Sequence, residues 1–212
     1  MSNNIIKISF TCAKSIFDNL SIEKYNKLLF TEESIYSSSK IEGSKLLKNI
    51  ISENFSNKDI TITDGTANIG TDSIFLSNYF NKINSVEISN INYNALANNV
   101  SVFEKTNINT ILGDIIIVIE NLIQDVIYID APWGGRDYKK NDKMKLFLGD
   151  LEILDFYKKF RNKAKVFIFK VPYNYDLDYL KTYINNKIII YPFKKENKIK
   201  FFFFYKYIKI II

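Results

Sequence analysis

Six consecutive residues, Asp130-Ala131-Pro132-Trp133-Gly134-Gly135, place a carboxylate, a stiffened turn and the only tryptophan of the chain side by side. A carboxylate and a neighbouring backbone carbonyl can accept both hydrogens of an amino group. An amine conjugated to a ring is a poor nucleophile because its lone pair is delocalised, and two aimed acceptors turn that lone pair towards an electrophile. Pro132 restricts the loop so that the carbonyl stays aimed. Trp133 offers a flat face to an aromatic base, and a positively charged base would stack best. Asp130, Ala131, Pro132 and Trp133 are therefore the candidate catalytic residues.

Three more carboxylates, Asp64, Glu87 and Asp114, stand like Asp130 at the ends of apolar, β-branched runs. In an open α/β sheet the ligand lies beyond the carboxyl ends of the strands. Four acids in register exceed what helix capping alone accounts for. The loop Asp64-Gly65-Thr66-Ala67-Asn68-Ile69-Gly70-Thr71-Asp72-Ser73 is small and turn-forming, and Asn68 and Gly70 tolerate positive φ. It lacks a GxGxxG pattern. A carboxylate at its mouth is a poor partner for pyrophosphate but suits a ligand with an amino group, such as S-adenosyl-L-methionine. Glu87 suits both ribose hydroxyls, a contact shared with NAD sites, and Asp114 an adenine amino group. Asp64, Gly65, Gly70, Thr71, Asp72, Ser73, Glu87, Asp114 and Asp130 form the candidate cofactor-binding set.

Composition removes the competing chemistries. The 212 residues include no histidine and one cysteine, Cys12. Zinc sites, Ser-His and Cys-His nucleophiles and an internal disulfide are thereby excluded. The single cysteine and the lack of an apolar leader point to a soluble, intracellular protein, and no uncharged run reaches membrane-span length. Lysine and arginine total 29 against 23 acids, a net charge of +6, and only Arg136 and Arg161 are arginine. The excess of Ile, Lys, Asn and Tyr matches AT-rich coding, as in a large DNA virus or a parasite, so the lysines are not by themselves a nucleic-acid surface.

The elements that must position these groups alternate. Strand-like runs at Ile60–Thr63, Ser85–Ile88, Asn109–Leu112, Val126–Ile129 and Lys165–Val171 are separated by helically spaced segments, which implies βαβ units and a parallel sheet. Lys187–Tyr191 and Lys198–Tyr207, separated by the charged Lys194-Lys195-Glu196-Asn197, predict an antiparallel hairpin. The fold expected is α/β, Rossmann-like, with a mostly parallel seven-stranded sheet and a C-terminal antiparallel hairpin, as in S-adenosylmethionine-dependent methyltransferases. Residues 1–50 read as a helical extension and linker and 51–212 as the methyltransferase domain. Ser34–Ser44 has the linker-like composition, although Ser37, Ser38 and Ser39 are also suited to hydrogen bonding over a pocket.

The Asp-Ala-Pro-Trp loop is similar to the Asp/Asn/Ser-Pro-Pro-aromatic loop of methyltransferases that act on nucleobase amines. From Ile62 to about Tyr207 the chain resembles the trimethylguanosine synthase family, RNA cap guanine-N2 methyltransferases. The family's Pro-Pro-Trp-Gly-Gly-x-x-Tyr is matched by Ala131 to Tyr138, its Pro-x-Asn-x-Asp-x-Asp by Pro172 to Asp178, and its Ala-x-x-Asn-Asn helix by Ala95 to Asn99. Tyr25 to Phe30 resembles its Tyr-x-Leu-Phe segment. The resemblance implies that Trp133 stacks on 7-methylguanine and that Tyr138, Lys139, Lys140, Lys170 and Asn174, with Lys143 nearby, bind the rest of a capped RNA or cap nucleotide. From the composition, neither a metal nor a membrane partner is expected. Ala131 replaces the family's first proline, Tyr173 stands where its phosphate-binding arginine stands, and Gly70-Thr71-Asp72 replaces Gly-Gly-Asn. An N6-adenine methyltransferase acting on DNA or RNA, or an inactive cap- or RNA-binding subunit, would use the same loop.

Overall fold

The computed structural model describes residues 4–140, 142–197 and 200–212. Its first elements are β1 (Ile5–Ile6), α1 (Phe10–Lys14), α2 (Ile22–Lys27), β2 (Phe30–Thr31), α3 (Ser34–Ser37) and α4 (Ile41–Ser52). The alternating part follows with β3 (Thr61–Asp64), α5 (Thr71–Leu76), β4 (Lys82–Glu87), α6 (Asn90–Val102), β5 (Ile108–Leu112), α7 (Ile115–Val118) and β6 (Val126–Ile129). Beyond it come β7 (Phe147–Leu148), β8 (Leu151–Glu152), α8 (Ile153–Phe160), β9 (Val166–Pro172), α9 (Leu177–Tyr183), β10 (Lys187–Asn197) and β11 (Lys200–Ile211). Seven strands form the central, mostly parallel sheet, and two pairs, β1-β2 and β7-β8, form separate small ladders.

The chain divides into two compact units, Met1–Leu122 and Ile123–Ile212. In the first, β3, β4 and β5 pair in parallel in that order. Strand β4 begins at Lys82, three residues before its expected run at Ser85, and buries the polar Asn84 as well as Ser85. Their hydrogen bonds are met: Asn84 donates to Thr63 Oγ1 and Ser85 to Ser73 Oγ. A core of Ile69, Ile74, Ala95, Leu96 and Phe103 extends onto Ala13, Ile16, Phe17, Leu28 and Phe30 of the N-terminal segment.

That segment is fastened as well as packed. Asn99, fully buried on α6, accepts from the backbone N–H of Leu29 (2.9 Å) and donates to the Leu29 and Ile69 carbonyls (3.0 and 3.1 Å). Asn98 donates to the Lys27 carbonyl, and the Tyr25 hydroxyl to that of Ile8. The Asn-Asn pair of α6 thus clamps the Tyr25–Phe30 stretch. Ser34–Ser44 departs from its expected linker character: it holds α3 and the start of α4, with Ser34, Ser39 and Ser44 buried.

In the second unit β6 and β9 are parallel, β9 pairs antiparallel with β11, and β11 with β10. All seven residues of β9 are buried, so the strand reads as a continuous apolar run interrupted by one lysine, Lys170. The expected hairpin is present but longer, because Lys194 to Asn197 belong to its ladder and do not separate its strands. Strand β10 lies at the edge of the sheet. The register shifts between Phe193 and Lys194, one residue after Pro192. Lys198 and Ile199, expected to begin the last strand, lie outside the described residues. Among the described residues no helix is long and apolar enough to cross a membrane, and no three His, Cys, Asp or Glu side chains group as metal ligands.

Candidate active site

The first unit gathers Asp64, Gly65, Gly70–Ser73, Glu87 and Asp114 at the carboxyl ends of three adjacent parallel strands. Asp64 closes β3 and is buried. It accepts from Ser73 Oγ (2.6 Å), which in turn accepts from Ser85 Oγ (2.7 Å), so the strand end is tied to α5 and to β4. Between them the chain turns through Asn68 (φ 51°) and Gly70 (φ 92°). A Cβ at Gly70 would lie 2.7 Å from Leu96 Cδ1, so a glycine is needed there both for backbone conformation and for the close approach to α6.

Glu87 ends β4. Its two carboxylate oxygens accept from the backbone N–H groups of Asn68 and Ser89, each at 2.8 Å. Burial raises its pKa above the ordinary value, and the Ser89 and Asn68 donors oppose that shift. Asp114 caps α7, accepting from the Ile116 N–H at 2.9 Å. Asp72 lies in the first turn of α5 and is buried. Its carboxylate accepts from Ser39 Oγ (2.6 Å) and Ser44 Oγ (2.5 Å). Asn68 Nδ2 donates to Ser37 Oγ. The N-terminal serines therefore hold the Asp64–Ser73 loop from outside, a role that their hydroxyls suggested but that no spacing rule could have paired with Asp72.

The second unit carries the other candidates. Asp130 follows β6, Ala131 is buried and Pro132 exposed. Gly134 and Gly135 both have positive φ (79° and 76°) with open space around them, so their backbone conformation explains the glycine pair. A 3-10 turn, Gly135–Lys140, then sets the Tyr138 ring edge-on to Trp133, with centroids 5.3 Å apart. Tyr205 of β11 lies 6.3 Å from Trp133 and stacks on Phe193 at 4.6 Å. The indole Nε1 is buried without a hydrogen-bond partner.

Lys170 is placed differently from the phosphate anchor the sequence suggested. It is 5% exposed, and its Nζ lies 2.7 Å from Asp130 Oδ2, 5.0 Å from the Tyr205 ring centre and 5.9 Å from that of Trp133. It belongs to a buried strand and its ammonium is turned onto Asp130. Lys139 and Lys140 are exposed, Lys139 lying over the Tyr138 ring at 5.8 Å. Lys143 pairs with Asp178 (2.8 Å) and Asp176 (3.7 Å). Asn174 donates to the Tyr138 carbonyl at 2.9 Å, while Asp176 caps α9. The Pro172–Asp178 motif thus braces the turn bearing Tyr138 and opens the next helix.

Comparison with known proteins follows the same lines. Residues 60–209 match the family described as RNA cap guanine-N2 methyltransferase. A protein of Acanthamoeba polyphaga mimivirus, L320, is 28% identical over 205 residues, covering 82% of this chain and 80% of its own. A putative methyltransferase of Porphyromonas gingivalis W83 superposes with a TM-score of 0.64 at 15% identity, covering 85% of this chain and 42% of the other. Precorrin-6y C5,15-methyltransferase of Geobacter metallireducens gives 0.59 at 14% identity, over 82% and 90%. A putative methyltransferase of Streptococcus mutans in complex with SAH gives 0.54 at 14% identity, over 79% and 97%.

The cofactor of the chain is S-adenosyl-L-methionine. The residues present fit it: the loop from Asp64 to Ser73 carries two carboxylates and no cation, which suits a cationic ligand and not a pyrophosphate. Glu87, held by backbone donors, retains lone-pair capacity for a ribose hydroxyl. With its parallel sheet, its carboxylates at the strand ends and its Asp-Ala-Pro-Trp-Gly-Gly loop, the chain belongs to the RNA cap guanine-N2 methyltransferase family.

Proposed function

We propose that the protein methylates the exocyclic N2 amine of a 7-methylguanosine RNA cap. The observation that carries this reading is Trp133, set among Tyr138 and Tyr205 three residues after an ion-paired Asp130. S-adenosyl-L-methionine supplies a methyl group on a sulfonium, which the amine lone pair takes as the sulfur–carbon electron pair returns to sulfur. The first unit would hold it, with Glu87 accepting from the ribose, Asp114 from the adenine amine, and the Asp64–Ser73 loop facing its amino group. In the second unit, Trp133 stacks the base and Asp130 accepts one N–H of its amine. A carbonyl of the Ala131-Pro132 turn would accept the other, and two fixed acceptors would set the direction of the lone pair. The proton released from nitrogen after transfer passes to Asp130 or to water. Lys139 and Lys140 would meet the cap phosphates, giving salt-sensitive binding.

The test is transfer of labelled methyl groups to 7-methyl-GTP. Transfer to another base with none to this compound overturns the assignment. A second reading, N6-adenine methylation, has one observation in its favour: the Lys170 ammonium already lies 5.9 Å from the Trp133 ring, which disfavours a second cation there. Titrating the lone tryptophan's fluorescence separates the two. Tighter binding of 7-methyl-GTP than of GTP supports the cap, and equal affinity supports adenine. Quenching by 7-methyl-GTP without turnover identifies a binding subunit.

A further inference from the structure

We infer that Lys170 is a positioning residue for the methyl transfer, acting through Asp130, and is not a contact for RNA phosphate. The inference rests on the function proposed above and concerns how that site is held. Three observations carry it. The ammonium donates to Asp130 Oδ2 at 2.7 Å, with side-chain exposures of 6% for Lys170 and 17% for Asp130. It lies in the middle of a wholly buried strand, flanked by Phe169 and Val171, where an apolar residue would pack without desolvating a charge. It also lies 5.0 Å from the Tyr205 ring centre and 5.9 Å from that of Trp133, so one cation is shared among the carboxylate and two rings.

A buried ion pair gains little stability over well-packed apolar side chains, because desolvating both charges offsets their attraction. Its place in the molecule therefore needs another reason, and its partner supplies one. To orient an amine, Asp130 must be an ionised carboxylate, since the protonated acid would present a donor to an N–H. The Lys170 ammonium is the ion partner of that carboxylate at 2.7 Å. It also takes a fixed position on Oδ2, which sets the plane of the carboxylate. The alignment of the strands produces this geometry: Ile129 pairs with Phe169, so the next residue on each parallel strand is Asp130 and Lys170.

The experiment compares Lys170→Met and Lys170→Arg with the wild-type full chain in steady-state transfer to 7-methyl-GTP. In the same variants, binding is followed by Trp133 fluorescence at several salt concentrations. The expected result for Lys170→Met is a fall in kcat of about a hundredfold, the scale of a misaligned reacting group. Its KM should stay within about threefold and the salt dependence of binding should not change, while Lys170→Arg restores most of kcat. If the methionine variant does not fold, Lys170→Gln, a neutral hydrogen-bond donor, takes its place in the same comparison. A raised KM with unchanged kcat, and a salt slope smaller by about one, would make Lys170 a phosphate contact and overturn the inference. An unchanged kcat in the folded neutral variant also overturns it. Failure of the wild-type chain to methylate 7-methyl-GTP overturns instead the substrate reading on which the inference rests.

Discussion

Replacing Asn99 by alanine tests whether the Asn-Asn helix is a structural clamp. The side chain is fully buried and satisfies three backbone groups: the Leu29 N–H, the Leu29 carbonyl and the Ile69 carbonyl. A buried polar group left without its partner costs about 1–3 kcal/mol. Ile69 is fully buried and should bear most of that cost, whereas Leu29 is half-buried and water can replace part of its loss. The sum is about 3 kcal/mol for Asn99→Ala. Asn99→Asp should lose at least as much, because it keeps the acceptor for the Leu29 N–H but turns a carboxylate oxygen towards two carbonyls. Neighbouring Asn98, half-buried, donates to the Lys27 carbonyl and to Asn99 Oδ1, and Asn98→Ala, which leaves the three backbone groups bonded to Asn99, should cost under about 1 kcal/mol. Urea denaturation followed by circular dichroism measures all three. Because Ile69 belongs to the loop proposed to hold the cofactor, the Asn99 variants should also bind S-adenosyl-L-methionine more weakly by calorimetry. A loss below about 0.5 kcal/mol for Asn99→Ala, the size of an ordinary surface substitution, would refute the clamp.

Other outcomes follow from the same geometry. Trp133→Ala should weaken 7-methyl-GTP binding by about 5–150-fold, the equivalent of one lost base–aromatic stack of about 1–3 kcal/mol, with Trp133→Phe in between; calorimetry checks this. Removing the Ser44 hydroxyl should cost about 2 kcal/mol in urea denaturation, because it donates to the buried Asp72 carboxylate, and Ser44→Ala with Ser39→Ala should cost more than either alone. Glu87 has a raised folded-state pKa, so its contribution to stability is complete below about 4.5 and is lost as pH rises through the raised value. The melting temperature of Glu87→Gln relative to wild type should therefore shift in favour of glutamine between pH 4.5 and pH 7 in thermal melts of the ligand-free protein. A difference independent of pH would remove the burial argument.

The sequence showed the periodic part of the fold clearly. Runs such as Val126–Ile129 are apolar because both faces of the strand are covered, and acids such as Glu87 stand out at their ends. It was less legible where polar residues are satisfied by distant partners. Asn84, outside the expected run, looks unsuited to a buried strand until Thr63 is seen beside it. Ser39 and Ser44 read as linker because Asp72, which they serve, lies about thirty residues away. Lys170 is the sharpest case. A lone lysine among Phe, Val and Ile near a conspicuous loop suggests a reaching phosphate ligand. Only the parallel register of β6 and β9 turns it inwards onto Asp130.

The edge strand β10 also bears on self-association. An exposed edge presents a row of backbone donors and acceptors to which a second chain could add a strand. In β10 that row is broken. Pro192, exposed and paired with Lys206 across the hairpin, brings no N–H, and one residue later the register slips between Phe193 and Lys194. A strand from another copy laid along this edge would lose a hydrogen bond at the proline and its alignment at the slip. The hairpin thus extends the sheet and at the same time discourages further strand addition, protecting a chain rich in isoleucine and phenylalanine from edge-to-edge polymerisation.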